Sequence, residues 1–186
     1  WPAVAADGVD FAIIRLGYRG YTQGAIQTDS CFFQNIQGAL DAGLDVGVYF
    51  FSQAITPEEA RQEADYTLSL LESYPITCPV VYDWEPITFA EGARTDQLEH
   101  EVLTQCAAAF CQRIAQAGYT PAVYFNQEMG YFSFDLKELS PFQFWLAEYD
   151  SYPSFYYGFT LWQYTHEGRV DGIQTPVDWN LDFSQL

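Results

Sequence analysis

The chain has 186 residues, 49% hydrophobic and 18% aromatic, enough to bury one substantial core. No apolar run approaches the roughly 20 residues that cross a bilayer, and 25 acids against 7 bases (net charge −18) argue against nucleic acid or an anionic membrane as partners. Cys31, Cys78, Cys106 and Cys111 have no paired Cys-x-x-Cys spacing, and His100 and His166 are not placed to join them, so no metal or other cofactor is expected; the thiols read as buried, with a long-range disulfide as the alternative.

Residues 11–17 (FAIIRLG) form a β-branched run between turn signals, which predicts a buried strand. Thr28 or Asp29 then caps a helix whose Phe32, Phe33, Ile36 and Leu40 share one face and which Gly43 stops. Residues 45–52 (DVGVYFFS) are strand again. Thr56, Pro57 and Glu59 make a capping box for a second helix, with Ala60, Ala64, Leu68 and Leu71 as its inner stripe. Residues 78–86 (CPVVYDWEP) give the third strand. A third helix runs from about Thr95 to Ala117, turns Leu98, Val102, Cys106, Phe110 and Ile114 inward, and ends at Gly118. Residues 120–126 (TPAVYFN) are the fourth strand.

This alternation, repeating roughly every 35 residues, argues for parallel strands with crossover helices. After Asn126 it degrades. Residues 142–149 and 159–165 are strands with short connections, and residues 168–180 (GRVDGIQTPVDWN) read as a small hairpin. The expected fold class is α/β, an irregular and incomplete TIM-like (β/α) barrel. An open doubly wound sheet is the alternative, but no glycine-rich phosphate loop follows an early strand. One domain over residues 1–186 and a monomer are expected. The chain opens at Trp1 with neither an initiator Met nor a signal peptide, as a mature or trimmed form does.

The third strand ends in Asp83 and Glu85. Strand alternation puts Val81, Asp83 and Glu85 on one face and Trp84 on the other, with the two acids about 6.5–7 Å apart along the backbone. In parallel barrels this C-terminal rim carries the chemistry. Repulsion and partial burial push two such carboxyls to different proton affinities, so that one stays protonated near neutral pH. Glycoside hydrolysis needs that: an acid for the leaving oxygen and a group that stabilises the cationic sugar. The triplet alone is weak, since about one Asp-x-Glu arises by chance in a chain this acidic. The other strand ends strengthen it with Arg15, Tyr18, Tyr49, Ser52, Tyr124, Asn126, Trp145, Glu148, Tyr149, Gln163 and Tyr164. Rings that stack on sugar faces and amides that bind hydroxyls suit a carbohydrate.

The segments DFAIIRLGYRG, GALDAGLDVGVYFFSQA, PVVYDWE, YTPAVYFN, FWLAEYD and LWQYTHEGRVDGIQTPVDWN, in that order, resemble the glycoside hydrolase family 25 lysozymes over essentially the whole chain. The resemblance implies a secreted, wall-associated N-acetylmuramidase. It would cut the β-1,4 bond between N-acetylmuramic acid and N-acetylglucosamine in peptidoglycan glycan strands. Glu85 matches the family's general acid/base, Asp83 its partner, and Asp178 a further active-site carboxylate. Tyr49, Tyr124, Asn126, Tyr149 and Gln163 match sugar-contacting positions, to which the rim reading adds Trp145 and Tyr164. Because Asp83 and Glu85 are neighbours on one strand rather than facing each other across a cleft, assistance by the substrate acetamido group is expected.

There is one departure from the family pattern. Its members begin with another strand, bearing an aspartate in a Gly-Ile-Asp-Val-Ser-like motif, before a tryptophan resembling Trp1. Asp7 and Asp10 match the loop after that strand, so an N-terminally truncated family domain is expected. A wall-binding module of the same shape without turnover is the alternative, and chitin is a second substrate to weigh.

Overall fold

The computed structural model describes residues 1–184. Its strands are β1 (Phe11–Arg19), β2 (Ile26–Thr28), β3 (Asp45–Phe51), β4 (Val80–Asp83), β5 (Pro121–Asn126), β6 (Gln143–Ala147), β7 (Leu161–Gly168) and β8 (Val177–Asp182). Its helices are α1 (Pro2–Ala6), α2 (Phe32–Asp41), α3 (Pro57–Leu71), α4 (His100–Gln116) and α5 (Gln127–Phe132). All eight strands join one curled sheet in the order β2-β1-β3-β4-β5-β6-β7-β8, with β1, β3, β4, β5, β6 and β7 mutually parallel and the two end strands antiparallel. The expected irregular, incomplete α/β barrel is the observed architecture.

Alternation along the strands sorts the core into two layers. Val80, Tyr82 and Trp84 turn outward and pack with Ala60, Ala64, Leu103, Phe110 and Ile114 of the helices. Val81, Ala122, Tyr124, Trp145, Ala147 and Leu161 turn inward and form a smaller cluster inside the curl, against which Phe11, Ile13 and Tyr49 pack. The outer layer holds the fold; the inner layer is the floor on which the acids stand. Cys106 and Cys111 belong to the outer core, whereas Cys31 is exposed and Cys78 half-buried.

Several element ends follow the sequence signals. Gly43 and Gly118 take positive φ of 81° and 89° directly beyond α2 and α4, as stop residues should. The Thr56 side chain accepts from the Glu59 N–H at 3.2 Å, but Glu59 reaches back to the Ile55 N–H at 3.0 Å, one residue beyond a strict capping box. The third helix starts at His100 rather than Thr95, because Thr95 is drawn into a buried side-chain contact. The proposed hairpin within residues 168–180 is larger: all of β7 pairs with β8, and the residues between Gly168 and Val177 are its loop. The short elements α1, β2 and α5 have no periodicity long enough to announce them.

One ion pair lies wholly inside. Arg19 donates to Glu63 at 2.6 Å, Ser52 donates to the other carboxylate oxygen at 2.6 Å, and the remaining Arg19 donors bind the Gly24 and Glu59 carbonyls. Burial nevertheless pushes Glu63 up to about 7, with Ser52 and Arg19 opposing the rise. This network ties β1, the end of β3 and α3 together beneath the rim.

Candidate active site

β4 is short because the chain leaves the sheet after Asp83, which places Asp83 on the last inward position and Glu85 just past the strand end. Asp83 is 6% exposed and its Oδ1 has no hydrogen-bond partner. Burial pushes its carboxyl well above the ordinary aspartate range, the charge of Glu85 adds to the rise, and Arg15 opposes it. Glu85 is half-buried. Its carboxyl is also raised, by burial first and by Asp178 second. Asp178 sits on β8, an edge strand of the sheet, exposed, yet raised by the burial it does have, with His166 opposing. Its inward direction follows from alternation: Asn180, two residues on, bonds Trp145 of the inner cluster at 2.9 Å, while Val177 and Trp179 pack on the outer core.

Three carboxyls from two distant strands therefore share one electrostatic field. Asp83 is the more deeply buried of the two strand-end acids, and burial raises the carboxyls of both. The Asp83 Oδ1 is an acceptor for which the described residues supply no donor.

The rings make the walls. Tyr124 stands edge-on to Trp145 with centroids 5.0 Å apart, and Tyr49 meets Trp145 at 6.4 Å. Tyr124 and Tyr149 both donate their hydroxyls to Gln163 Oε1, at 3.2 and 2.8 Å. Tyr49, Tyr124 and Tyr149 all have phenol proton affinities raised by burial and by the nearby acids: Asp83 first for Tyr49, Glu85 for Tyr124, Asp178 for Tyr149. They remain neutral hydrogen-bonding groups.

Of the residues singled out in the sequence, Asp83, Glu85, Asp178, Tyr49, Tyr124, Trp145, Tyr149 and Gln163 are brought together. Asn126 is on the inward face of β5, but its side-chain oxygen caps α5 by accepting the Met129 N–H at 2.8 Å. Tyr164 is not part of the group. It alternates to the outer face, where it packs beside Trp162 at 5.6 Å. Glu148 is used structurally, accepting from Ser154 and Phe155 to fold the loop after β6. Sequence reasoning missed His166, whose ring lies 4.5 Å from that of Tyr149, and Asn180, which orients Trp145. The signal for both was the β7–β8 register, which the sequence did not expose. A groove of about 830 Å³ on the barrel flank, lined by Tyr131, Phe142 and Tyr157 among others, contains none of the acids.

Comparison with known proteins agrees with this fold. The chain is 26% identical over 177 residues to the autolytic lysozyme of Clostridium acetobutylicum, covering 95% of this chain and 49% of that protein. It is 28% identical over 192 residues to lysozyme M1 of Streptomyces globisporus, covering 97% and 62%. The chain thus spans about half to three-fifths of the length of these relatives. The modular autolysin LytC of Streptococcus pneumoniae, solved in complex with a synthetic peptidoglycan ligand, superposes with a TM-score of 0.73 at 26% identity, over 96% of this chain and 42% of that one. The family model described as glycosyl hydrolases family 25 matches residues 1–173, and the chain belongs to that family of glycoside hydrolases.

Proposed function

We propose that this chain hydrolyses peptidoglycan glycan strands at the β-1,4 bond between N-acetylmuramic acid and N-acetylglucosamine. The observation that carries the reading is the cluster of Asp83, Glu85 and Asp178 on an aromatic floor, with Glu85 held above its ordinary proton affinity. The named activities of the relatives and the peptidoglycan-bound autolysin structure support the substrate class.

In the proposed reaction, Glu85 gives its proton to the bridging oxygen as the C1–O bond breaks. The substrate's acetamido oxygen forms the new bond to C1, giving an oxazolinium ion. Asp83 accepts the acetamido N–H, which satisfies its orphaned oxygen and favours its ionised form against the developing cation. The Glu85 carboxylate then takes a proton from water, whose oxygen opens the ion at C1, and Glu85 is reset. Tyr49, Tyr124, Trp145, Tyr149 and Gln163 supply stacking faces and hydrogen bonds to the sugars. Work on such a polymer places the protein outside the cell or at the wall, and among the described residues no helix is long and apolar enough to cross a membrane.

Mass analysis of the new reducing ends tests this. Muramic acid at every new end is the expected product. N-acetylglucosamine ends, release from chitin at a comparable rate, or tight binding to walls with no new ends would each overturn the assignment.

A further inference from the structure

The ladder between β3 and β4 ends one rung early in the backbone and is completed by a side chain. The Val48 N–H donates to the Pro79 carbonyl at 3.1 Å, and the Ser52 N–H donates to the Asp83 carbonyl at 2.7 Å. Continued by two residues, a parallel ladder would put the Ala54 N–H on the Glu85 carbonyl. The chain turns away instead, and Ser52 Oγ takes the Ala54 N–H at 3.2 Å. Gln53 Nε2 donates to the Glu85 carbonyl at 3.0 Å in its place, while Gln53 Oε1 accepts from the Thr95 hydroxyl at 2.7 Å. Gln53 is 0% exposed and Thr95 5%.

This pair is the only side-chain hold on Glu85 among the described residues. Glu85 lies beyond the end of β4, so no backbone rung of the sheet fixes it, and its carboxyl has no hydrogen-bond partner within the described chain. Thr95 is itself anchored. Its neighbour Arg94 donates its N–H to the Tyr21 carbonyl at 2.9 Å and its guanidinium to Glu59 at 2.8 Å. A buried amide with both ends satisfied has one rotamer to occupy, so it defines the peptide plane it touches.

We infer that Gln53 and Thr95 are positioning residues for Glu85: the Thr95 hydroxyl fixes the Gln53 amide, and that amide fixes the backbone from which the Glu85 carboxyl reaches into the cleft. The inference rests on the assignment of Glu85 as proton donor. Displacing a catalytic group by about 1 Å costs on the order of 10²-fold in rate. A freed Glu85 would also swing toward water and lose part of the desolvation that raises its proton affinity.

The test compares Thr95→Val, Thr95→Ser and Gln53→Met on soluble peptidoglycan fragments, with Glu85→Gln in parallel. Thr95→Val is expected to lower kcat about 10-fold and Gln53→Met about 10²-fold, with KM within about twofold of the parent. In both, the alkaline limb of the pH–rate profile moves to lower pH, and Thr95→Ser, which keeps the hydroxyl, restores rate and limb. Folded Thr95→Val protein with unchanged kcat and limb overturns the inference, as does a rate loss with the limb unmoved. Thr95→Val removes one methyl-sized polar group, so the comparison stands even if Gln53→Met does not fold. If Glu85→Gln is inactive while Thr95→Val is unaffected, only the positioning role fails; if Glu85→Gln keeps its activity, the proton-donor assignment fails with it.

Discussion

Glu85→Gln is expected to lower kcat on peptidoglycan by about 10²–10⁴-fold and to leave the fold and substrate affinity intact, the range for loss of the proposed general acid. Glutamine matches glutamate in shape, and the Glu85 carboxyl has no hydrogen bond within the described chain to lose, so unfolding is not a competing explanation. Its backbone carbonyl, the group that Gln53 does hold, is unchanged by the substitution. The proton is the only thing removed. Circular dichroism and thermal unfolding should superpose on the parent, and reducing-end release should fall to background. Full turnover by the folded variant would take the acid role away from Glu85.

Asp83→Asn should separate activity from stability. The Asp83 carboxyl is buried, unpartnered at Oδ1 and raised well above its ordinary value of 3.8, so its anion is costly in the free protein. The sign follows from linkage. Below about the unfolded value both states are protonated and there is no penalty; as pH rises toward the higher folded value, the unfolded chain releases its proton first and the native state loses stability. Burial raises Glu63, to about 7, and Glu85 and Asp178 in the same direction. The parent is thus expected to lose stability from mildly acidic toward neutral pH. Asp83→Asn, neutral throughout, removes the Asp83 part of that slope and is expected to gain about 1–2 kcal/mol at pH 7 in denaturant unfolding, a gain that vanishes near pH 4. Its kcat should fall on the order of 10²-fold, because asparagine cannot supply the negative charge that would face the proposed oxazolinium ion. A variant less stable at pH 7 would mean that Asp83 has a stabilising partner in the folded protein.

The repeating strand–helix order was legible because each unit carries its own punctuation: the Thr56 cap, the glycine stops at Gly43 and Gly118, and the β-branched runs of β1 and β3. The acids were legible for a similar reason, since Asp83 and Glu85 end an apolar run whose alternation fixes which way they face. What escaped was set by tertiary pairing. Tyr164 and Gln163 are adjacent and chemically alike as sugar ligands, and only the register of β7 against β8 puts Gln163 inside and Tyr164 outside. Asn126 lies on the inward face as read, but its side-chain oxygen also caps α5, a helix too short to be read from periodicity. Which of the carboxyls lies deepest was also hidden, because burial is set by the tertiary fold rather than by their spacing.

The proton affinity of Glu85 in the resting protein is the point to measure. Carbon-13 NMR of labelled glutamate side chains, with the Glu85 resonance assigned by its loss in Glu85→Gln, gives the midpoint directly and can be compared with the alkaline limb of kcat/KM. A midpoint above the ordinary glutamate value of 4.5, coincident with that limb, is expected. A Glu85 that titrates at or below that value, or a limb that lies elsewhere, would contradict its role as the acid.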